Sequence, residues 1–255
     1  MSERKAIFIT GGGSGIGRAV ALYFGQRGWF VGLGDIDKAG MRETEDMIGN
    51  GFVYGHLLDV RDRAAWDEAL EAFSVAAGGR IDVVFNNAGI PLGGSLLENS
   101  AEEIERCLDI NLKGVLFGAQ AAHSYLKKTA PGSCLLNTAS AAGIYGTPGA
   151  SVYSATKFGV RAVTESLDGE WAEDGINVRS LMPSFIDTPL LDHNVIARDN
   201  CRCNALCMLP CVVHSYDCCH FISAHKREIH CTECTSKLTR AVRRRLVRRR
   251  RRKFS

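Results

Sequence analysis

The chain opens on a short apolar run, Ala6 to Thr10 in "KAIFIT", that ends at glycines. An unbroken, partly β-branched run of this length suits a strand buried on both faces. After the glycines the period changes, and Ile16, Val20, Leu22, Tyr23 and Phe24 gather on one side of a helix. The alternation then repeats. "WFVGLGD", "GFVYGHLLDV", "IDVVFNNAG", "SCLLNTAS" and "INVRSLMP" read as further strands. Between them lie helical patterns: "KAGMRETEDMI", "RAAWDEALEAFSVAA", a long helix from Ser100 to Lys128, and "ASVYSATKFGVRAVTESLDGEWAED". Ser100 and Glu103 have the spacing of a capping box. Strands alternating with helices predict an α/β fold, a doubly wound parallel sheet of Rossmann-like type with helices on both faces. Ligands of such sheets bind beyond the carboxyl ends of the strands, so the chemistry is sought in the loops there.

Composition adds little to this picture. With 255 residues, 45% apolar and 23% charged, the chain can bury one sizeable α/β core. No apolar run approaches the length of a bilayer span. The start, "MSERKAIFIT", is too short in apolar residues for a signal-peptide core, so a cytoplasmic protein without membrane attachment is expected. Charge changes the picture more. Residues 1–194 hold 16 Lys and Arg against 24 Asp and Glu, whereas residues 195–255 hold 15 against 4. The acidic part is a poor surface for nucleic acid, and the basic part reads as a separate tail. The expected division is an α/β domain over 1–192 and an atypical tail over 193–255.

Candidate chemistry begins between the first strand and first helix. "TGGGSGIG" places Gly11, Gly15 and Gly17 in a G-x-x-x-G-x-G pattern. Glycines there permit a tight turn and let backbone N–H groups approach a pyrophosphate at the positive end of a helix. Asp35 ends the second strand, 18 residues after Gly17. Its carboxylate can accept hydrogen bonds from an adenosine ribose diol and would repel the extra phosphate of NADP. Arg18 lies just past the loop rather than in it. Asp37 is better placed than Asp35 to cap the next helix. Asp59 closes the third strand, where it can bond an adenine amino group or cap the helix that follows.

Tyr153 and Lys157 stand four apart in "YSATK", on one face of a helix. A tyrosine with its ordinary pKa of about 10 is a poor base at neutral pH, and a neighbouring ammonium should lower that value. The pair follows Ser140, which ends the fifth strand, by thirteen residues.

Taken in order, "TGGGSGIG", "NNAG" (86–89), Asn111, Ser140 and "YSATK" resemble the short-chain dehydrogenase/reductase family over residues 5 to 192. The resemblance implies an NAD-dependent oxidoreductase that moves a hydride between NAD(H) and a secondary alcohol or ketone. Tyr153 would be the general acid/base, Lys157 would lower its pKa and bond the nicotinamide ribose, and Ser140 would hold the substrate oxygen. Asn111 would anchor a water that extends a proton path from Lys157. Cofactor contacts would come from Gly11, Ser14, Gly15, Ile16 and Gly17, from Asp35, Asp59 and Val60, and from Asn87, Ala88 and Gly89. "PSFIDTPL" would add Pro183, Ile186 and Thr188, with Ser184 where the family pattern has glycine. A homo-oligomer, dimer or tetramer, joined through the two long helices is also implied.

The tail departs from that pattern. Eight cysteines and four histidines fall between 201 and 234, followed by "RAVRRRLVRRRRRK". Cys207, Cys211, His225 and His230 give C-x3-C-x13-H-x4-H, close to a zinc-finger spacing, and the arginine run can bind nucleic acid or anionic membrane. An enzyme-like fold serving as a binding module is thus the alternative function. Twelve potential ligands in so short a stretch also match such spacings by chance, and a cytoplasmic compartment disfavours disulfides. The favoured reading is an ending translated out of frame, with little packed core and no metal. Translating the resequenced gene in all three frames past codon 193 should then reveal an amphipathic helix and a short apolar strand. A verified frame with one tightly bound zinc per chain would reverse this reading.

Overall fold

The structure is a computed structural model that describes residues 4–49 and 51–183, with the backbone of short strands at 186–187, 203–204 and 228–230. Each of the six apolar runs forms a strand: β1 (Ala6–Thr10), β2 (Phe30–Asp35), β3 (Val53–Leu57), β4 (Val83–Asn86), β5 (Cys134–Thr138) and β6 (Asn177–Met182). The helices between them are α1 (Gly15–Gly25), α2 (Lys38–Ile48), α3 (Arg63–Ala76), α4 (Ala101–Leu108), α5 (Gly114–Thr129) and α6 (Ser151–Glu170). The strands pair in parallel in the order β3-β2-β1-β4-β5-β6. This is the expected doubly wound sheet.

The period of two along β1 divides the core into two layers. Ala6 and Phe8 face Trp66, Leu70 and Phe73 of α3 and Ala119, Ala122 and Leu126 of α5. Ile7 and Ile9 face Val20, Ala21 and Phe24 of α1 and Met41 of α2. Burial on both sides explains why β1, β4 and β5 are buried along their whole length. The ring of Phe8 lies 5.3 Å from that of Phe73. A Cβ on Gly32 of the neighbouring strand would stand 2.5 Å from Phe8 and 2.7 Å from Phe73, so glycine in β2 makes room for the aromatic layer.

Several boundaries differ from the sequence pattern. The helix expected from Ser100 to Lys128 is interrupted by a π-helical turn, Asp109–Lys113, between α4 and α5. Apolar periodicity does not register such a local change of pitch. The third strand ends at Leu57 rather than Val60, and α6 ends at Glu170 rather than Asp174. Leu22 is only half-buried, and Ala21 takes the core position beside Val20.

Three further short strands among the described residues, two of them in the tail, are not advertised by the sequence. β7 (Ile186–Asp187) pairs in parallel with β8 (Cys203–Asn204). β9 (Glu228–His230) pairs with β6 as a seventh strand, setting Ser180 opposite Glu228 and Met182 opposite His230. Three residues with one apolar side chain carry too little pattern to be read as a strand.

Candidate active site

The sheet order reverses between β1 and β4, and an open cleft of about 280 Å³ lies there. The loop after β1 forms one wall through Gly11, Ser14, Gly15 and Ile16. Gly11 and Gly15 adopt φ of 67° and 53°, the left-handed region that favours glycine. Gly17 lies behind this wall: a Cβ there would stand 2.0 Å from the Gly11 carbonyl oxygen. The N-cap of α1, Ser14, makes no side-chain cap bond, and the first turn holds no acid. By contrast, α2, α3 and α4 are capped by Asp37, Asp62 and Ser100, and Ser100 and Glu103 complete the expected capping box. The positive end of α1 therefore meets the cleft without a side-chain partner and is suited to an anionic group.

Asp35 lies at the other end of this wall. One carboxylate oxygen accepts from Gly13 N (2.9 Å), the other from Asp37 N (3.0 Å). As its position suggested, Asp37 caps α2, accepting from Ala39 and Gly40. The guanidinium of Arg18 donates to the carbonyls of Gly13 and Gly40, to Thr44 and to Glu43, and does not line the cleft. Asp59 does not take the capping role that its position also allowed. It pairs with Arg61 at 2.6 Å, outside the cleft lining, and Asp62 caps α3 instead. The Arg61 guanidinium holds the Asp59 carboxyl below the usual carboxylate range. Its neighbour Val60 does line the cleft, with Leu58.

The "NNAG" segment ties β4 to both neighbouring strands. Asn86 donates to the Asn137 side chain at 2.9 Å, across to β5. Asn87 donates to the Thr10 carbonyl at 3.0 Å, and Thr138 donates to the Asn87 side chain. The Thr10 hydroxyl accepts from the backbone N–H groups of Asn87 and Ala88. Asn87, Ala88 and Gly89 thus line the cleft from a braced loop. Asn111, in the π-helical turn, is fully buried. Its side chain accepts from Ile90 N (2.8 Å) and donates to Ile90 O (2.9 Å), which holds the residue after Gly89.

Ser140, Tyr153 and Lys157 converge at one end of the cleft. Ser140 and Tyr153 share a side-chain hydrogen bond. The Lys157 ammonium donates to the Thr138 carbonyl at 2.8 Å and lies 5.6 Å from the Tyr153 ring centre. Electrostatically the pair differs from expectation. Burial pushes the Tyr153 hydroxyl up to about 12, and the Ser140 hydrogen bond only partly offsets it. Lys157 is itself pushed down to about 8 by burial, with the Cys107 thiol acting in the opposite sense. The cost of burying charge outweighs the attraction that the four-residue spacing suggested.

Pro183 lines the cleft, and its carbonyl accepts from Ala141 N at 2.9 Å. Ile186 lies in β7. Ser184 and Thr188, and the candidate metal ligands Cys207, Cys211 and His225, fall outside the described residues, and His230 lies in β9. Among the described residues no group of three or more His, Cys, Asp or Glu is placed to hold a metal, and no helix is long and apolar enough to cross a membrane.

The short chain dehydrogenase family model matches residues 5–198. The chain belongs to this family. A 3-oxoacyl-[acyl-carrier-protein] reductase of Thermotoga maritima is 39% identical over 194 residues, covering 74% of this chain and 77% of that protein. A meso-2,3-butanediol dehydrogenase of Serratia marcescens is 33% identical, covering 73% of each. Among solved structures, a 3-ketoacyl-(acyl-carrier-protein) reductase from Brucella melitensis complexed with NADH superposes with a TM-score of 0.78 at 30% identity, covering 83% of this chain and 90% of that one. A short-chain dehydrogenase/reductase from Burkholderia phymatum in complex with NAD gives 0.72 at 30% identity, covering 78% and 73%.

This short-chain dehydrogenase site also leans on residues for which the sequence suggested no role, although Thr10 and Thr156 lie inside "TGGGSGIG" and "YSATK". Thr10 and Thr138 brace the loops, and Thr156 and Cys107 pack beside Asn111, with Asn111 Nδ2 3.4 Å and 3.5 Å from their side chains. A threonine ending a strand and a buried cysteine inside a helix look like ordinary core, so sequence offered no signal for them.

Proposed function

We propose that this oxidoreductase uses NAD(H) and acts on a secondary alcohol or its ketone, with Tyr153 as general acid/base. The observation that carries the reading is the meeting of Ser140, Tyr153 and Lys157 at one end of a cleft whose other end holds Asp35 and the uncapped start of α1. The catalytic machinery falls within 1–192, and the composition of 193–255 supports treating it as a separate tail. The names of the two curated relatives, one acting on a 3-oxoacyl group and one on a diol, fit the same chemical class.

The residues present fit a dinucleotide. Its diphosphate would meet the first turn of α1, its adenosine ribose Asp35, and its nicotinamide ribose Lys157. Bound there, the nicotinamide supplies or accepts the hydride. The chain's own groups manage the proton. With its pKa near 12, Tyr153 is protonated at working pH, ready to donate to the oxygen of a ketone. Ser140 holds that oxygen beside it. That donation leaves a phenolate, which Lys157 steadies, and in the oxidative direction the same phenolate takes the proton of the alcohol. Leu108, Leu116 and Phe158, exposed on α4, α5 and α6, support assembly into a dimer or tetramer through the long helices.

NAD(H) should bind more tightly than NADP(H), because Asp35 offers acceptors to a free diol and like charge to a 2′-phosphate. Isothermal titration with both cofactors checks this. Asp35→Ala is expected to narrow the preference, and tighter binding of NADP(H) to the native protein would reject the assignment.

A further inference from the structure

We infer that Arg106, at the end of α4, binds the diphosphate of the dinucleotide, an inference that rests on the cofactor reading above. Three charged side chains line the cleft among the described residues: Asp35, Arg106 and Lys157. Two of them are already engaged. Asp35 accepts from Gly13 and Asp37, and Lys157 is buried against the Thr138 carbonyl. Arg18, the cation nearest the glycine loop in sequence, is held by Glu43, Thr44 and two carbonyls. Arg106 differs from all of these. It is exposed, and among the described residues its guanidinium has neither a hydrogen-bond nor an ion-pair partner.

The acids around it on the helix do not neutralise it: Glu102 is bonded at the helix start with Ser100, and neither it nor the adjacent Glu105 pairs with Arg106. Glu103 is turned back to the Ser100 N–H in the capping box, and Asp109 pairs with Lys113. Arg106 sits one helical turn before Ile110 and shares its face, and Ile110 lines the same cleft. A diphosphate entering the cleft brings two negative charges. The start of α1 offers only about half an elementary charge. A second cation on the α4 wall answers that imbalance, and the planar fork of a guanidinium matches paired phosphate oxygens.

The test is calorimetric titration of the full chain and of Arg106→Gln with NAD+, with ADP-ribose and, as the phosphate-free control, with adenosine. Loss of one partly solvated charged contact should raise the Kd for NAD+ and ADP-ribose about tenfold and leave adenosine unchanged. Arg106→Lys should recover part of the loss. Raising the salt should weaken NAD+ binding more steeply in the native protein than in Arg106→Gln. Native binding of NAD+ that does not respond to Arg106→Gln overturns this assignment alone. So does an effect confined to the KM of an anionic substrate. Native protein that binds neither NAD+ nor ADP-ribose overturns the cofactor reading itself, and this inference with it.

Discussion

Tyr153→Phe is expected to lower kcat by about two to four orders of magnitude, the usual contribution of a placed general acid or base. The Kd for NAD(H) should stay nearly unchanged. The substitution removes one oxygen and leaves the ring, so the packing of α6 against the cleft is kept. What disappears is the hydroxyl that shares a hydrogen bond with Ser140. Lys157 cannot replace it, because its ammonium is committed to the Thr138 carbonyl at 2.8 Å and is almost wholly buried. Nor can Ser140, whose hydroxyl has too high an intrinsic pKa to serve alone. Stopped assays of cofactor reduction, run beside titrations of cofactor binding, separate the two effects. Retention of more than a few per cent of native kcat would remove Tyr153 from the proton-transfer role.

The parts of this site that sequence made legible are those where one residue type meets a steric or electrostatic demand alone. Gly11 and Gly15 are readable because their backbone takes positive φ, and Gly17 because a carbonyl oxygen occupies the space of a Cβ. Asp37 is readable because it sits one residue before an amphipathic helix. Asp59 shows the limit. It stands at a strand end, where a cap or a ligand contact is equally natural, and only the three-dimensional course of the chain gives the cap to Asp62 and the Asp59 carboxylate to Arg61. Asn111 was singled out by its motif, but its π-helical turn was not, because one extra residue in a turn barely disturbs an apolar stripe. β9 was invisible for a different reason. An edge strand of three residues owes its place to the open edge of β6 rather than to its own pattern.

The electrostatics of the site were the least legible of all, since they depend on burial, and burial reverses the effect that the Tyr-x-x-x-Lys spacing implies. Lys157 tests this directly. Its folded pKa of about 8 lies below the ordinary 10.5 of the unfolded chain, because burial disfavours the ammonium. A depressed pKa means stability that is fully present above pH 10.5 and lost as pH falls through about 8. Below about pH 8 the folded protein therefore carries a charge-burial penalty on the order of 3 kcal/mol. Lys157→Met keeps the unbranched stem of the side chain and removes the charged end. Relative to native protein, the variant should be favoured most below pH 8. That advantage should shrink by about tenfold in the unfolding equilibrium for each pH unit between 8 and 10.5. Urea unfolding of both proteins across this window reads the slope, whatever constant cost the unpaired Thr138 carbonyl adds. Function should move the other way: the variant is expected to bind NAD(H) more weakly and turn over more slowly. A stability difference independent of pH would show that Lys157 holds its charge at no cost, and unchanged cofactor affinity would reject its proposed contact with the nicotinamide ribose. Both expected results together would show a cation kept in a place where the fold alone would not keep it.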